Sequence, residues 1–316
     1  MLTVGIDVGG TSVRAGLVDS TGAVLDVRRV AAPADAGALE DAIVTAVTEL
    51  VAGHRDVRAV GLAVAGFVSL DRRHVGFSAH LPWRGVPVAE GIERRLGMPV
   101  LLEHDANAAA LAEHCYGAAL GGGVALLVVL GTGIGGALLV EGELFRGAHG
   151  VAPELGHLRV VPEGRPCSCG KRGCWERYCS GTGLASTARE LLAARSGTSG
   201  PLAREVSGDP RRLTGRRVAL AARNGDPVAL EAMAELARWL GEGLALVADV
   251  YDPEVVVIGG GMSESAPLFL DDAREHYAAV VTGAGHRTLA RIRTAQLGAD
   301  AGLVGAALLA RSAAIS

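Results

Sequence analysis

Between Glu154 and Glu176 the chain reads E-L-G-H and then, after a short gap, C-S-C-G-K-R-G-C-W-E. His157, Cys167, Cys169 and Cys174 offer one imidazole and three thiols close together in sequence. That donor set is the one a closed, structural zinc site uses. Gly170 and Gly173 fall between the last two cysteines, where a metal knuckle has to turn tightly. The carboxylates of Glu154 and Glu176 bracket the cluster, so a metal that pins this loop would pin two acids with it. Buried or disulfide-bonded cysteines are the alternative reading of the same residues.

Three glycine-rich turns and one acid suggest further chemistry. Asp7-Val8-Gly9-Gly10-Thr11-Ser12 follows an apolar run. Its glycines would let backbone N–H groups approach phosphate oxygens, with Thr11 and Ser12 adding hydroxyl donors. Asp7 could hold a magnesium ion through water, since magnesium keeps much of its hydration shell. A plain strand-to-strand turn would also use Gly-Gly, and no Walker lysine follows. Gly131-Thr132-Gly133-Ile134-Gly135-Gly136 is a second such turn. It contains G-x-G-x-x-G, but Ala137 to Val140 reads as a strand, whereas a dinucleotide turn opens a helix. A phosphate-binding hairpin matching the first fits better. Gly259-Gly260-Gly261 would let a flat adenosine lie against the backbone, or serve only as a structural turn. Asp105 falls between a short strand and a helix, where it could accept a proton from a substrate hydroxyl. Its other reading is a helix N-cap. Asn107 reads as a structural hydrogen-bonding residue.

The elements that must position these residues alternate between short apolar runs and helical patterns. Leu2–Val8, Val13–Val18 and Ala23–Val30 read as consecutive strands joined by hairpins. Leu39–Val51 has helical spacing, and Ala59–Val64 is a buried strand broken at Gly66. Val88–Leu96 is a helix stopped by Gly97 and Pro99; Val100–Leu102 is a strand and Ala106–His114 an alanine-rich helix. The pattern then repeats with strands over Val124–Leu130 and Gly135–Val140. The metal loop follows, then helices, of which Pro227–Val250 is the clearest. A strand over Glu254–Ile258, a helix over 267–280, a strand near Ile292–Ala295 and a helix over 302–312 complete the chain. Residues 196–210, rich in Gly, Ser and Pro, are expected to form a mobile surface loop.

The 316 residues are enough for two domains and a substantial core. With 49% hydrophobic residues and only 3% aromatics, that core must be made of Ala, Val and Leu. The net charge is −4, with acids and bases interspersed, so no nucleic-acid footprint is expected. Arg72, Arg73, Arg211 and Arg212 read as solvated loop charges. Of five cysteines, Cys115 and Cys179 lie outside the cluster and are expected to be free core thiols. An odd thiol count beside a thiol-rich metal loop fits a reducing cytosol. No signal peptide or apolar run of spanning length is evident, so a soluble, cytoplasmic protein without membrane partners is expected.

Together the motifs resemble the ROK family of sugar kinases and sugar-responsive repressors, and within it the actinobacterial-type glucokinases. The residues that carry the resemblance are D-V-G-G-T at 7–11, E-H-D-A-N at 103–107, G-T-G-I-G-G at 131–136, E-L-G-H at 154–157, C-S-C-G-K-R-G-C-W-E at 167–176 and G-G-G at 259–261. They span nearly the whole chain. The resemblance implies an actin-like, hexokinase-like (ribonuclease H-like) α/β fold of two lobes with a cleft. The first lobe would cover 1–115, rejoined by the helix over 302–316. The second, over 116–301, would hold the zinc loop and the nucleotide-binding turns. It implies magnesium-dependent transfer of the ATP γ-phosphate to the 6-hydroxyl of a hexose, a step of glycolysis if the hexose is glucose. Asp105 would be the catalytic base. Gly66, His104, Glu154, His157 and Glu176 would contact the sugar, with His157 also on zinc. Asp7, Gly9, Gly10, Thr11, Gly131, Thr132, Gly133, Gly259, Gly260 and Gly261 would hold ATP. A homodimer or homotetramer is implied as well.

Three positions depart from the family pattern. His104 and His80 stand where the kinases usually have Asn, and Pro153 replaces a small residue before Glu154. The histidines bear on which hexose epimer is preferred. Alternatives from other classes are a non-catalytic sugar sensor, a kinase for mannose, fructose or an N-acetylhexosamine, and a kinase using polyphosphate. The chain starts at its first strand, without the DNA-binding domain of the family's repressors.

Overall fold

Leu2–Val8 is apolar along nearly its whole length, and in the computed structural model it becomes β1, a central strand buried on both faces. The structure describes residues 1–54, 56–195, 200–206 and 209–315. β1 turns through Gly9-Gly10 into antiparallel β2 (Ser12–Val18), which pairs with β3 (Val24–Ala31). β3 alternates half-buried and exposed residues, as an edge strand with one face on the core does. After α1 (Ala36–Val51), β4 (Val57–Val64) adds parallel to β1. The short strands β5 (Phe67–Val68), β6 (Val75–Phe77) and β7 (Arg84–Val86) form a small separate sheet. α2 (Val88–Leu96) ends on Gly97 at φ +68°, the left-handed stop its sequence anticipates. β8 (Val100–His104) then joins parallel to β4 and leads into α3 (Asp105–Tyr116). The sheet order is β3-β2-β1-β4-β8.

The repeat follows with β9 (Val124–Leu130), β10 (Ile134–Val140) and β11 (Glu143–Leu144). Helices α4 (Gly181–Ala194), α5 (Pro201–Val206), α6 (Gly215–Arg223) and α7 (Pro227–Tyr251) come next. β12 (Val255–Gly259), α8 (Leu270–Val280), β13 (Arg291–Thr294) and α9 (Ala301–Ile315) complete the chain. The second sheet has the order β11-β10-β9-β12-β13. Helix starts follow local chemistry. Asp35, Ser180, Thr214 and Asp226 each cap a helix with a side-chain oxygen, and Pro227 opens α7.

The chain divides into two compact units. One contains Met1–Leu127, Ala137–Pro153 and the segment from Gln296 onward; the other contains Val128–Gly136 and Glu154–Ala295. Small residues hold the first unit together. A Cβ on Gly5 would lie 1.9 Å from the Leu303 carbonyl oxygen, one on Gly61 1.9 Å from that of Ala306, and one on Gly305 1.7 Å from that of Ala108. Backbone approaches that close bring α9 onto β1 and β4 and against α3. They explain how a core nearly without aromatics can still pack densely.

Several expectations need correction. Arg72 and Arg73 are not solvated loop charges: Arg72 Nε lies 3.0 Å from Glu103 Oε2, and Arg73 pairs with Glu93. The small β5–β7 sheet was not foreseen, because two- and three-residue strands carry no readable periodicity. The helix over 267–280 is two elements. A 3-10 segment over Gly261–Leu268 contains Pro267, and α8 begins only at Leu270. Of the loop expected over 196–210, residues 196–199 and 207–208 lie outside the described residues, and the rest includes α5. Among the described residues no helix is long and apolar enough to cross a membrane.

Candidate functional site

In the first unit the acids sit at the C-terminal ends of parallel strands. Asp105 is the first residue of α3, and His104 is the N-cap without any side-chain cap bond. A capping carboxylate would bond an N–H two or three residues on. Asp105 instead accepts only the adjacent Ala106 N–H, at 2.7 Å from Oδ1. The capping role is therefore not what this side chain does. The helix N-terminus favours its negative charge, and 44% of the side chain is exposed, so the carboxylate can meet a ligand. His104 Nε2 lies 3.3 Å from the same Oδ1.

Asp7 is the penultimate residue of β1, opposite Arg14 on β2. Burial, reinforced by the negative charge of Asp105 and opposed by Arg14, pushes its pKa up to about 6. Two carboxylates sharing one region of negative potential are what a hydrated divalent cation would neutralise. Gly9 and Gly10 form the β1–β2 turn, where the Gly9 N–H donates to the Ser12 carbonyl at 3.0 Å. His80 packs over this turn, 3.1 Å from where a Cβ on Gly10 would be. Thr11 is exposed on the same turn. Gly66 has no room for a side chain, since a Cβ there would lie 2.6 Å from the Phe77 carbonyl oxygen. Its N–H donates to the Val64 carbonyl at 2.9 Å. Asn107 is buried and donates to Glu103 at 3.0 Å, the structural role expected of it.

In the second unit the metal loop has little regular structure. His157, Cys167, Cys169 and Cys174 place their donor atoms within 4.8 Å of one another. Cys169 Sγ lies 3.6 Å from Cys174 Sγ, and Cys167 Sγ 3.7 Å from His157 Nδ1. Tetrahedral bonds of about 2.0–2.3 Å separate ligand atoms by such distances, so these residues fit zinc. All five cysteines are free. Cys179 is a core thiol, as expected, whereas Cys115 is exposed, contrary to expectation. Gly170 and Gly173 take φ of +88° and +76°, and a Cβ on Gly173 would lie 1.6 Å from the Val161 carbonyl oxygen.

This loop carries the two carboxylates. His157 directs Nδ1 at the thiols and has Nε2 3.8 Å from Glu154 Oε2. Glu176 Oε1 accepts from Cys167 at 3.1 Å, and its Oε2 lies 2.4 Å from where a Cβ on Gly133 would be. The Gly131–Gly133 turn and Glu176 are therefore immediate neighbours. Beside Glu176, the fully buried Trp175 packs its indole on Gly243 of α7 and donates to the Trp239 carbonyl at 2.7 Å. Arg165 ties the loop to α4 through Glu190 and Thr187.

The same unit holds a cavity of about 1190 Å³. Gly131 and Thr132 line it together with Gly261 and Met262, so two glycine turns far apart in sequence face one space. Gly181 N–H donates to the Gly131 carbonyl at 2.8 Å and fixes that turn against the start of α4. Gly259 ends β12, and Gly260 makes the turn at φ +82°, where a Cβ would lie 2.4 Å from the Leu130 carbonyl oxygen. Arg177, Arg189, Arg211, Arg216 and Arg223 also line the cavity. Arg177, Arg189, Arg216 and Arg223 were not anticipated from sequence, whereas Arg211 is the solvated charge expected, 90% exposed and paired with Asp209. Only the fold brings α4, α6 and the turns together.

The likeness to known proteins spans the same motifs. The ROK family model matches residues 3–313. A glucokinase of Streptomyces coelicolor is 43% identical over 310 residues, covering 98% of each chain. A ROK family glucokinase from Streptomyces griseus, solved in complex with glucose and AMPPNP, superposes with a TM-score of 0.86 at 43% identity. The match covers 99% of this chain and 100% of that one. A ROK hexokinase from Thermus thermophilus superposes with a TM-score of 0.81 at 33% identity, covering 99% of each chain. From its first glycine turn to its last, this chain belongs to the ROK family and has that family's two-lobed, actin-like α/β fold.

Proposed function

We propose that this protein is a glucokinase, transferring the γ-phosphate of ATP to the 6-hydroxyl of glucose. The observation that carries the reading is the end-to-end likeness to a glucokinase solved with glucose and AMPPNP, together with an Asp105 that does no capping. Asp105 takes the proton from the 6-hydroxyl as the oxygen attacks phosphorus. Little covalent chemistry is left for the protein, so the remaining residues position and neutralise. Glu154, Glu176 and His157 Nε2 meet the sugar hydroxyls, and paired carboxylates suit vicinal diols. The N–H groups of Gly10, Thr11, Thr132 and Gly133 hold phosphate oxygens, and the cavity beside Gly261 takes the adenosine. Magnesium, when bound, supplies positive charge near the phosphates, and Asp7 would hold it through water. His157, Cys167, Cys169 and Cys174 would hold zinc, which would fix the loop that carries the sugar-binding acids.

A second reading of the donor rests on the cavity arginines. Five arginines lining one cavity would suit a phosphate chain longer than that of a nucleotide. A panel of glucose, mannose, fructose and N-acetylhexosamines, each with ATP or polyphosphate and with product identified directly, tests both readings. Glucose 6-phosphate formed from ATP with the highest kcat/KM is the expected result. A sugar preferred over glucose by more than about tenfold, or no sugar phosphate at all, would overturn the assignment.

A further inference from the structure

The strand that delivers Asp105 ends in a charge that the proposed chemistry does not use. Val100–His104 is apolar except for Glu103 and His104, and Glu103 is completely buried. Its two carboxylate oxygens do different things. Oε1 accepts the His104 backbone N–H at 2.9 Å and the Asn107 side-chain N–H at 3.0 Å. Those residues flank Asp105, one before it and the other two after it, so a single oxygen grips the first turn of α3 on both sides of the base. Oε2 accepts from Arg72 Nε at 3.0 Å and lies 3.3 Å from Arg146 Nε.

Arg146 extends the cluster. Its side chain is 7% exposed and donates to three successive carbonyls, those of Val68, Ser69 and Leu70, at 3.2, 2.9 and 3.0 Å. Burial pulls its pKa down, and Glu103 opposes that shift. Arg72 takes φ +60°, an uncommon conformation for a residue with a Cβ, and holds its guanidinium on Glu103 from there. The Arg72 carbonyl also accepts the Leu102 N–H at 3.0 Å. One carboxylate thus joins the β8–α3 turn to the segment from Val68 to Arg72, just after Gly66.

A buried ion pair is weak grounds for expecting stability, because well-packed apolar residues of similar size often do as well. Here its geometry is directed, with every contact of Oε1 adjacent to the proposed base. We infer that Glu103, held by Arg146 and Arg72, is a positioning residue that sets the orientation of Asp105 for phosphoryl transfer. The inference rests on Asp105 being the base.

The test uses purified full-length variants with glucose and ATP. Asp105→Asn checks the underlying reading, and turnover at the wild-type rate in that variant would remove the base itself. The double variant Glu103→Met, Arg146→Met replaces both buried charges with apolar volume and should stay folded. Its kcat should fall about 10- to 100-fold, while KM for ATP stays within about threefold, as expected from a misoriented base. A kcat within threefold of wild type in the folded double variant, with Asp105→Asn inactive, would show the cluster to be only structural. Should the double variant not fold, Glu103→Gln serves instead. It keeps a carbonyl acceptor for the His104 N–H but loses the charge that orders the arginines, and the same split between kcat and KM is expected. Unchanged kcat in folded Glu103→Gln would equally overturn the inference.

Discussion

The two units hold their candidate acids by opposite means. In the first, Asp7 is the penultimate residue of a central strand and Asp105 begins a helix, so regular hydrogen bonding fixes their backbones. In the second, Glu154 precedes one short 3-10 turn and Glu176 lies within another, in a loop with little regular structure. That loop is defined instead by a buried Trp175, an arginine clamp and a cluster of four residues that could hold a metal. Where sheet and helix supply the precision, the cost appears as buried charge. Where they do not, the precision comes from cross-links. The two designs should therefore fail differently: damage to the first unit should change the rate, and damage to the loop should change sugar affinity.

The sharpest way to break that contrast is Asp105→Asn. Removing a general base should lower kcat by about 10²- to 10⁴-fold, with glucose affinity changed only a few-fold, as read by coupled ADP release and calorimetric titration. A variant that lost glucose binding instead would erase the distinction between the units. Next in size is Cys169→Ala, which should lose the metal and raise the glucose KM on the order of 10- to 100-fold, with a smaller change in kcat. Metal analysis beside steady-state kinetics checks this, and an unchanged zinc content would contradict the ligand assignment.

Asp7→Asn probes the cost of buried charge. Burial raises the folded pKa of Asp7 from 3.8 to about 6, so folding favours its protonated form. Its contribution to stability is full below about pH 4 and is lost as pH rises through about 6. At pH 7 the Asn variant should therefore be more stable, by on the order of 1–2 kcal/mol, yet less active. Urea unfolding at pH 4 and pH 7 should show that gain only at the higher pH. The smallest effect is expected from His104→Asn, which alters the group beside Asp105 Oδ1 without removing the base. It should shift the glucose-to-mannose ratio of kcat/KM by less than about tenfold. A hundredfold loss of kcat would instead make His104 part of the catalytic machinery.

How much of this was legible in the sequence depended on how local it was. The four clustered donors fall within one short stretch and the glycine turns within single tripeptides, so they stood out as candidates before any folding. Asp105 was legible because an apolar run followed by an alanine-rich helix marks a strand end. Glu103 was not, because Arg72 and Arg146 are remote from it in sequence and nothing in V-L-L-E-H names them. Arg189 and Arg223 line one cavity for a reason no local pattern holds: α4 and α6 pack in the same unit. The β5–β7 sheet escaped because its strands are shorter than any period that could reveal them.

The most direct test of the account is phosphoryl transfer itself. Wild type and Asp105→Asn are incubated with magnesium, ATP and carbon-labelled glucose, and the product is identified by phosphorus and carbon NMR. Wild type should form glucose 6-phosphate in step with ADP, and Asp105→Asn should bind glucose while forming almost none. ADP released without sugar phosphate, phosphate on another hydroxyl, or wild-type turnover in Asp105→Asn would contradict it.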